Sequence, residues 1–171
     1  MQRRRHIWQK LGDLTLGLMP DTSRDAVACL VATPHDTKAL GGLMPNAYRG
    51  TLDDEGETPE RACDEVRRFF DGACGPVEAP ACIVGEYGGW LVCASLHCLW
   101  DGGGHLPAAP LVAHAVTAPG YRGQRLGAAA IARSLRALAQ AGLARARAVI
   151  TAGNFPSEAT FRRLGFEALP D

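Results

Sequence analysis

Net charge is missing from this chain of 171 residues, in which 18 basic residues balance 18 acidic ones. Without a global positive field, binding to nucleic acid is disfavoured. No apolar run is long enough to span a membrane. The N-terminus opens on Arg3, Arg4 and Arg5 as a secretory signal does, but Lys10 and Asp13 interrupt any apolar core and no cleavage site follows. The six cysteines (Cys29, Cys63, Cys74, Cys82, Cys93 and Cys98) form no C-x-x-C pair. They read as buried free thiols rather than disulfides or zinc ligands, which makes a cytoplasmic protein the expectation. Cys93 and Cys98 share one apolar run and would face opposite sides of a regular strand. Internal repeats are also lacking, and the length suits a single domain.

Two phosphate-binding motifs are absent as well. There is no G-x-x-x-x-G-K-[ST] and no G-x-G-x-x-G, which excludes a P-loop and weighs against a dinucleotide fold. A doubly wound nucleotide-binding sheet would also need a Gly-rich turn after its first apolar run, and residues 26–36 contain none.

What the chain does have is a strand, a Gly-rich turn and a helix around residue 120. Residues 111–116 form an apolar run that reads as a buried strand. Over 126–141, Leu126, Ile131, Leu135 and Leu138 recur near helical spacing. The first backbone N–H groups of such a helix have no internal partners and converge on one point. Gly123 and Gly127 let a ligand approach the backbone, and Arg122 and Arg125 add positive charge. The combination is a phosphate cradle.

The spacing Arg122-x-x-Arg125-x-Gly127 resembles the acetyl-CoA pyrophosphate loop of the GCN5-related N-acetyltransferase (GNAT) superfamily, whose pattern is Gln/Arg-x-x-Gly-x-Gly/Ala. Arg125 stands where that pattern has its middle glycine, and a negative φ is expected there. A second segment, 151–166, is similar to the superfamily's C-terminal signature. Asn154 follows a short apolar strand at 148–151, Phe161 lies seven residues later, and the segment ends in Leu164-Gly165-Phe166. Pro156 suits a first helical turn and Gly165 a left-handed C-terminal position.

The remaining elements are read in order. Residues 1–25 read as a solvated N-terminal arm and 26–171 as the domain. A first strand at 26–32 stops at Pro34, and Asp36 caps a helix through Leu40, Leu43 and Met44. An acidic loop leads to a helix with Thr58 as N-cap and Pro59 at its first position, running over 62–70. Strands at 81–86 and 90–100 flank the turn Tyr87-Gly88-Gly89, and 101–105 is a flexible loop. This order matches the superfamily's α/β (α+β) domain over about 26–169, a mixed, mostly antiparallel sheet flanked by helices. Its splayed central strand pair holds acetyl-CoA. After Phe166 the usual last strand is truncated or missing.

The resemblance implies an N-acetyltransferase that moves an acetyl group from acetyl-CoA to a primary amine of a small molecule or a protein N-terminus, by direct attack on the thioester. It places the pyrophosphate on Arg122, Gly123, Gln124, Arg125, Leu126, Gly127 and Ala128. The pantetheine arm would lie along Ala115, Val116 and Thr117, with Asn154 and Phe161 beside it. A backbone N–H at Thr117 would polarise the thioester oxygen. His114 is a candidate base by its ordinary pKa, although it alternates away from the 115/117 face. Glu86, His97 and a carboxylate of the acidic loop acting through water are the other candidates. Asp53, Asp54 and Glu55, with Glu57, would line the entrance of a cationic acceptor. Where many relatives carry a glutamate and a tyrosine, this chain has Val149 and Phe161. A catalytically silent acyl-CoA-binding domain is therefore the alternative. No metal, nucleic acid or membrane partner is expected, and a second copy of the chain is a candidate partner.

Overall fold

The computed structural model describes residues 3–18, 27–103 and 106–170. Ala26 of the first strand, Gly104 and His105 of the 101–105 loop, and residues 1, 2 and 19–25 of the N-terminal arm lie outside them.

Among the described residues seven strands form one sheet: β1 (Arg5–Leu11), β2 (Ala28–Val31), β3 (Ile83–Tyr87), β4 (Trp90–Trp100), β5 (Ala109–Thr117), β6 (Arg145–Thr151) and β7 (Glu167–Ala168). Their order is β2-β3-β4-β5-β6-β1-β7. Every neighbouring pair is antiparallel except β5–β6. Four helices flank the sheet: α1 (Thr37–Tyr48), α2 (Pro59–Phe70), α3 (Leu126–Gln140) and α4 (Phe155–Arg163). The fold expected from the sequence is therefore present, including a last strand cut to two residues.

Among the described residues the buried side chains fall into three clusters, the smallest joining Leu126 and Ala130 of α3 to Ile83, Val92 and Cys93. Ile131, Leu135 and Leu138 of α3 and Phe161 of α4 pack with Trp8, Ala148 and Ile150. Leu40, Leu43 and Met44 of α1 and Val66 and Phe69 of α2 pack with Leu96, Cys98 and Val116. The helices α1 and α2 meet at Gly41, where an added Cβ would lie 2.2 Å from Cys63 Sγ and 2.9 Å from its backbone nitrogen.

Three local expectations change. Residues 5–11 are not an arm: β1 pairs with β6 along its whole length and buries Trp8. The strand escapes a periodicity search because Lys10 takes the inward position two after Trp8. Its Nζ donates to Leu16 O at 2.7 Å and to Leu164 O at 2.6 Å, so the cation sits on the C-terminal end of α4. Asp36 precedes α1, but its carboxylate accepts from Thr33 N at 2.7 Å rather than from the helix. Arg125 adopts φ +62°, not a negative value. The loop keeps the left-handed turn that a glycine would make without strain, and the arginine accepts it.

The cysteines divide by depth. Cys82, Cys93 and Cys98 are buried, while Cys74 is exposed. Burial pushes the Cys82 thiol up to about 11 and those of Cys93 and Cys98 up to about 12, so all three are inert near neutrality. No helix among the described residues is long and apolar enough to cross a membrane.

Candidate active site

The site begins where the only parallel strand pair among the described residues comes apart. β5 and β6 pair at Leu111↔Arg147 and Val112↔Ala148 and no further. At the same level the β4–β5 register slips, Leu96 facing His114 and His97 facing Val112, so that Ala113 is an extra residue. Such a bulge bends its strand and re-aims the side chains beyond it. The two strands then diverge around a cleft of about 1570 Å³.

On the β5 side, Ala118 N donates to Val92 O of β4 at 2.8 Å. Alternation along the strand turns the backbone groups of Ala115 and Thr117 the other way, into the gap that β6 has left. Here the structure brings Ala115, Val116 and Thr117 together with the N-terminus of α3. An added Cβ on Gly127 would lie 2.6 Å from Thr117 Oγ1, so the first turn of α3 sits close against the end of β5 and a side chain there would have to displace the Thr117 hydroxyl. Leu126, Gly127 and Ala128 present the N–H groups that a helix leaves unpaired at its start.

The loop before α3 is fixed from outside. Arg122 Nη2 donates to Ala47 O in the last turn of α1 at 2.6 Å. Gly123 has φ +75°, which favours glycine. Gln124 and Arg125 line the same cleft. Phe161 also lines it, but it is buried and packs edge-on against Phe166 with ring centroids 5.1 Å apart. Asn154 is committed elsewhere. Its Oδ1 accepts from Ser157 N at 3.2 Å, capping α4, and its Nδ2 donates to Asp53 Oδ2 at 2.7 Å.

The opposite wall is the α1–α2 connection, residues 49–58. Asp53, Asp54 and Glu55 all line the cleft, but each has a partner. Asp53 Oδ1 accepts from Thr151 Oγ1 at 2.6 Å, and with Asn154 this latches the loop to the end of β6. Asp54 folds back on its own loop, accepting from Gly50 N at 2.8 Å and Gly56 N at 2.9 Å, which holds its carboxyl below the usual range. Glu55 lies 3.7 Å from Arg5 in an exposed ion pair. The partners of Asp53 and Asp54 are thus neutral donors, whereas Glu55 has the cation of Arg5 beside it.

The carboxylates left to act are Glu57 and Glu65. Burial pushes Glu57 up to about 7, and a hydrogen bond to the Glu65 side chain and the charge of Glu65 add to the rise. Glu65 Oε1 lies 3.5 Å from His114 Nε2. His114 packs edge-on against Phe69 at 6.0 Å, and its burial depresses it to about 4, so it is neutral at pH 7. Tyr48 stands on the same wall, its hydroxyl pushed up first by burial and then by the charges of Glu65, Asp53 and Glu57.

Two other base candidates are displaced. His97 is fully buried against Ser95 Oγ at 2.9 Å, and burial depresses it to about 3. Glu86 lies on β3 and is not among the residues that line the cleft. Sequence reasoning missed Glu65 and Tyr48. The signal for Glu65 was its place on α2, beside the buried stripe of Ala62, Val66 and Phe69, where a carboxylate is out of pattern.

The sequence profile of the Acetyltransferase (GNAT) family matches residues 52–166. No curated protein matches the sequence. Among solved structures, a GCN5-related N-acetyltransferase from Sphaerobacter thermophilus superposes with a TM-score of 0.71 at 13% identity. It covers 98% of this chain, which spans only 50% of that one. The aminoglycoside N-acetyltransferase AAC(6')-Iy, in complex with a CoA–acetylneamine bisubstrate analogue, gives 0.62 at 13% identity, covering 85% of this chain and 93% of its own. Ribosomal-protein-alanine N-acetyltransferase from Brucella melitensis gives 0.59 at 23% identity, with 82% and 84% covered. At these identities the neighbours speak for the fold, and the family match covers most of the chain. With strand divergence, helix N-terminus and profile in agreement, this chain belongs to the GNAT acetyltransferase family.

Proposed function

We propose that the protein transfers an acetyl group from acetyl-CoA to a primary amine by direct attack on the thioester. The observation that carries this reading is the approach of Gly127 to Thr117, which sets the N-terminus of α3 against the open edge of β5. Acetyl-CoA fits that arrangement. The unpaired N–H groups at Leu126, Gly127 and Ala128 suit a pyrophosphate, helped by Gly123, Gln124 and the charges of Arg122 and Arg125. The outward backbone groups of Ala115 and Thr117, with Val116 between them, suit the amides of an extended pantetheine arm.

When bound, acetyl-CoA supplies the acetyl group as an activated thioester. Thr117 offers a backbone N–H toward the gap, an oriented donor of the kind that stabilises developing negative charge on oxygen by a few kcal/mol. Glu57 takes the proton that an ammonium must lose before its nitrogen can attack. A carboxyl pushed up to about 7 is poised for that transfer, because a base works best when its pKa lies near the working pH. Glu65 lies beside Glu57 and its charge helps to raise the Glu57 carboxyl, while neutral His114 faces Glu65 from the β5 side. Phe161 has no proton to give, so the thiolate released as the C–S bond breaks takes one from solvent, and the newly acylated nitrogen releases its excess proton to solvent. Thiols ionise at roughly 8.5, so this departure is tolerable near neutrality.

The silent-domain reading rests on Val149 and Phe161. The Glu57–Glu65 pair, beside His114 and inside the cleft, favours the enzyme. A turnover assay decides between them: acetyl-CoA is incubated with a panel of primary amines, free thiol is titrated, and the acetylated amine is weighed by mass spectrometry. Amine-dependent release of CoA with an equal yield of amide is expected. CoA binding without amide from any primary amine would establish the silent domain instead.

A further inference from the structure

We infer that the chain forms a two-fold dimer through the open face of β6, β1 and β7, with Glu167 of each copy set over Arg145 and Arg147 of the other.

The open face follows from how the helices are shared out. On one side of these strands Trp8, Ala146, Ala148 and Ile150 pack under α3 and α4. On the other side α1 and α2 pack on β3, β4 and β5, and among the described residues their cluster includes none from β1, β6 or β7. Alternation turns Ile7, Gln9 and Leu11 of β1 to that uncovered side. The register sets Val149, Arg147 and Arg145 of β6 beside them, in that order. Leu11 is 57% exposed and Val149 43%, so apolar surface meets water at both ends of the strip.

Charge decides what covers it. Arg147 is fully buried, yet its partners are neutral: Nε donates to Gln9 Oε1 at 3.0 Å, Nη1 donates to Pro107 O, and the guanidinium lies over the Trp100 ring. Its Nη2, and Nε of Arg145, are buried with no hydrogen-bond partner among the described residues. Burial first, and then the charge of Arg145, hold Arg147 below the usual guanidinium range. Buried cations are ordinarily paired. Glu167 on β7 faces Gln9 from the far side of β1, two strands away from Arg147. It is exposed and makes no ion pair among the described residues. The three strands therefore carry positive charge along one margin and negative charge along the other.

That arrangement is self-complementary, as an isologous interface must be. A two-fold axis along β1, midway between two such faces, lays the β6 of each copy over the β7 of the other. Arg147, Gln9 and Glu167 share one rung. Each Glu167 thus meets half-buried Arg145 of the second copy and lies above its Arg147. An axis across the strands would instead stack arginine on arginine. Sheets packed face to face lie about 10 Å apart, within reach of two facing side chains. Because β7 is the edge of the sheet, the α1–α2 layer of each copy falls beyond the other's edge and does not collide with it. The covered face reaches the rim of the cleft at Val149.

The test is sedimentation velocity of the full chain over a concentration series, read without substrate and so independent of the acetyltransferase reading. A monomer–dimer equilibrium is expected. Glu167→Lys, at an exposed position, is expected to raise the dimer Kd at least about tenfold, and adding Arg145→Glu is expected to recover most of that rise. Leu11→Asp, which sets two carboxylates face to face near the axis, serves as the second variant should the first misfold. Trp90→Asp, 77% exposed and toward the opposite margin of the sheet, is expected to leave the Kd unchanged. A monomer at up to about 100 µM, an unchanged Kd in folded Glu167→Lys or Leu11→Asp, no recovery in the double variant, or an equal loss in Trp90→Asp would each overturn the proposal.

Discussion

The two ends of the cleft are built by different means. The end that we assign to the acetyl donor, residues 115–128, is mostly backbone: the free edge of β5, the first turn of α3, and two glycines that keep side chains out of the way. The acceptor end is side chains brought from four places: Tyr48 on α1, Glu57 in a loop, Glu65 on α2 and His114 on β5. A backbone site survives substitution of most side chains around it. A side-chain site changes with a single residue, as the positions of Val149 and Phe161 illustrate.

Glu57→Gln separates the two ends most sharply. Loss of the base is expected to lower kcat/KM by about 10²–10⁴-fold while the affinity for CoA stays unchanged. Rapid-mixing kinetics beside CoA calorimetry would show the split, and a joint fall in both would dissolve it. The converse change is Gly127→Glu, which crowds Thr117 and sets a negative charge at the start of α3. An increase of about a hundredfold or more in the Kd for CoA is expected, with a native circular dichroism spectrum. Unaltered CoA binding in that folded variant would remove the donor end from its place.

How much of each end could be read from the sequence follows the same division. The donor end was legible because its geometry is local, a strand, a turn and a helix start within fifteen or so positions of one another. Even there Arg125 was misjudged. The turn's shape is set by its neighbours, and a residue placed at φ +62° complies at a cost of about 1–2 kcal/mol. The acceptor end was legible only as an acidic stretch. Nothing local in Asp53 says that it will meet Thr151 and Asn154, about a hundred positions later, or that Glu65 will turn inward. β1 was missed for a related reason: Lys10 breaks the apolar alternation, and the two carbonyls that justify it belong to other elements.

Smaller effects sharpen the comparison. Asp53→Ala leaves Thr151 and Asn154 without their acceptor, and a loss of about 1–3 kcal/mol of stability is expected in urea denaturation. The KM for the amine should rise while CoA affinity holds, and equal damage to both would deny the latch its specific role. Arg125→Gly relieves the left-handed strain but adds freedom to the unfolded chain, so a net gain of about 0.5–1 kcal/mol is expected. CoA affinity should weaken only severalfold, because the N–H groups of α3 remain. Loss of stability in Arg125→Gly would mean that the side chain itself holds the loop.

Whether Glu57 takes the acceptor's proton is tested most directly by the pH dependence of kcat at saturating acetyl-CoA and amine. Glu57 must be ionised to act as a base, so the active form is the one present above its pKa. The rate is expected to rise with pH, to fall about tenfold per unit on the acid side of about 7, and to lose that limb in Glu57→Gln. The same acid limb in wild type and Glu57→Gln, or a wild-type rate that does not change through neutrality, would contradict it.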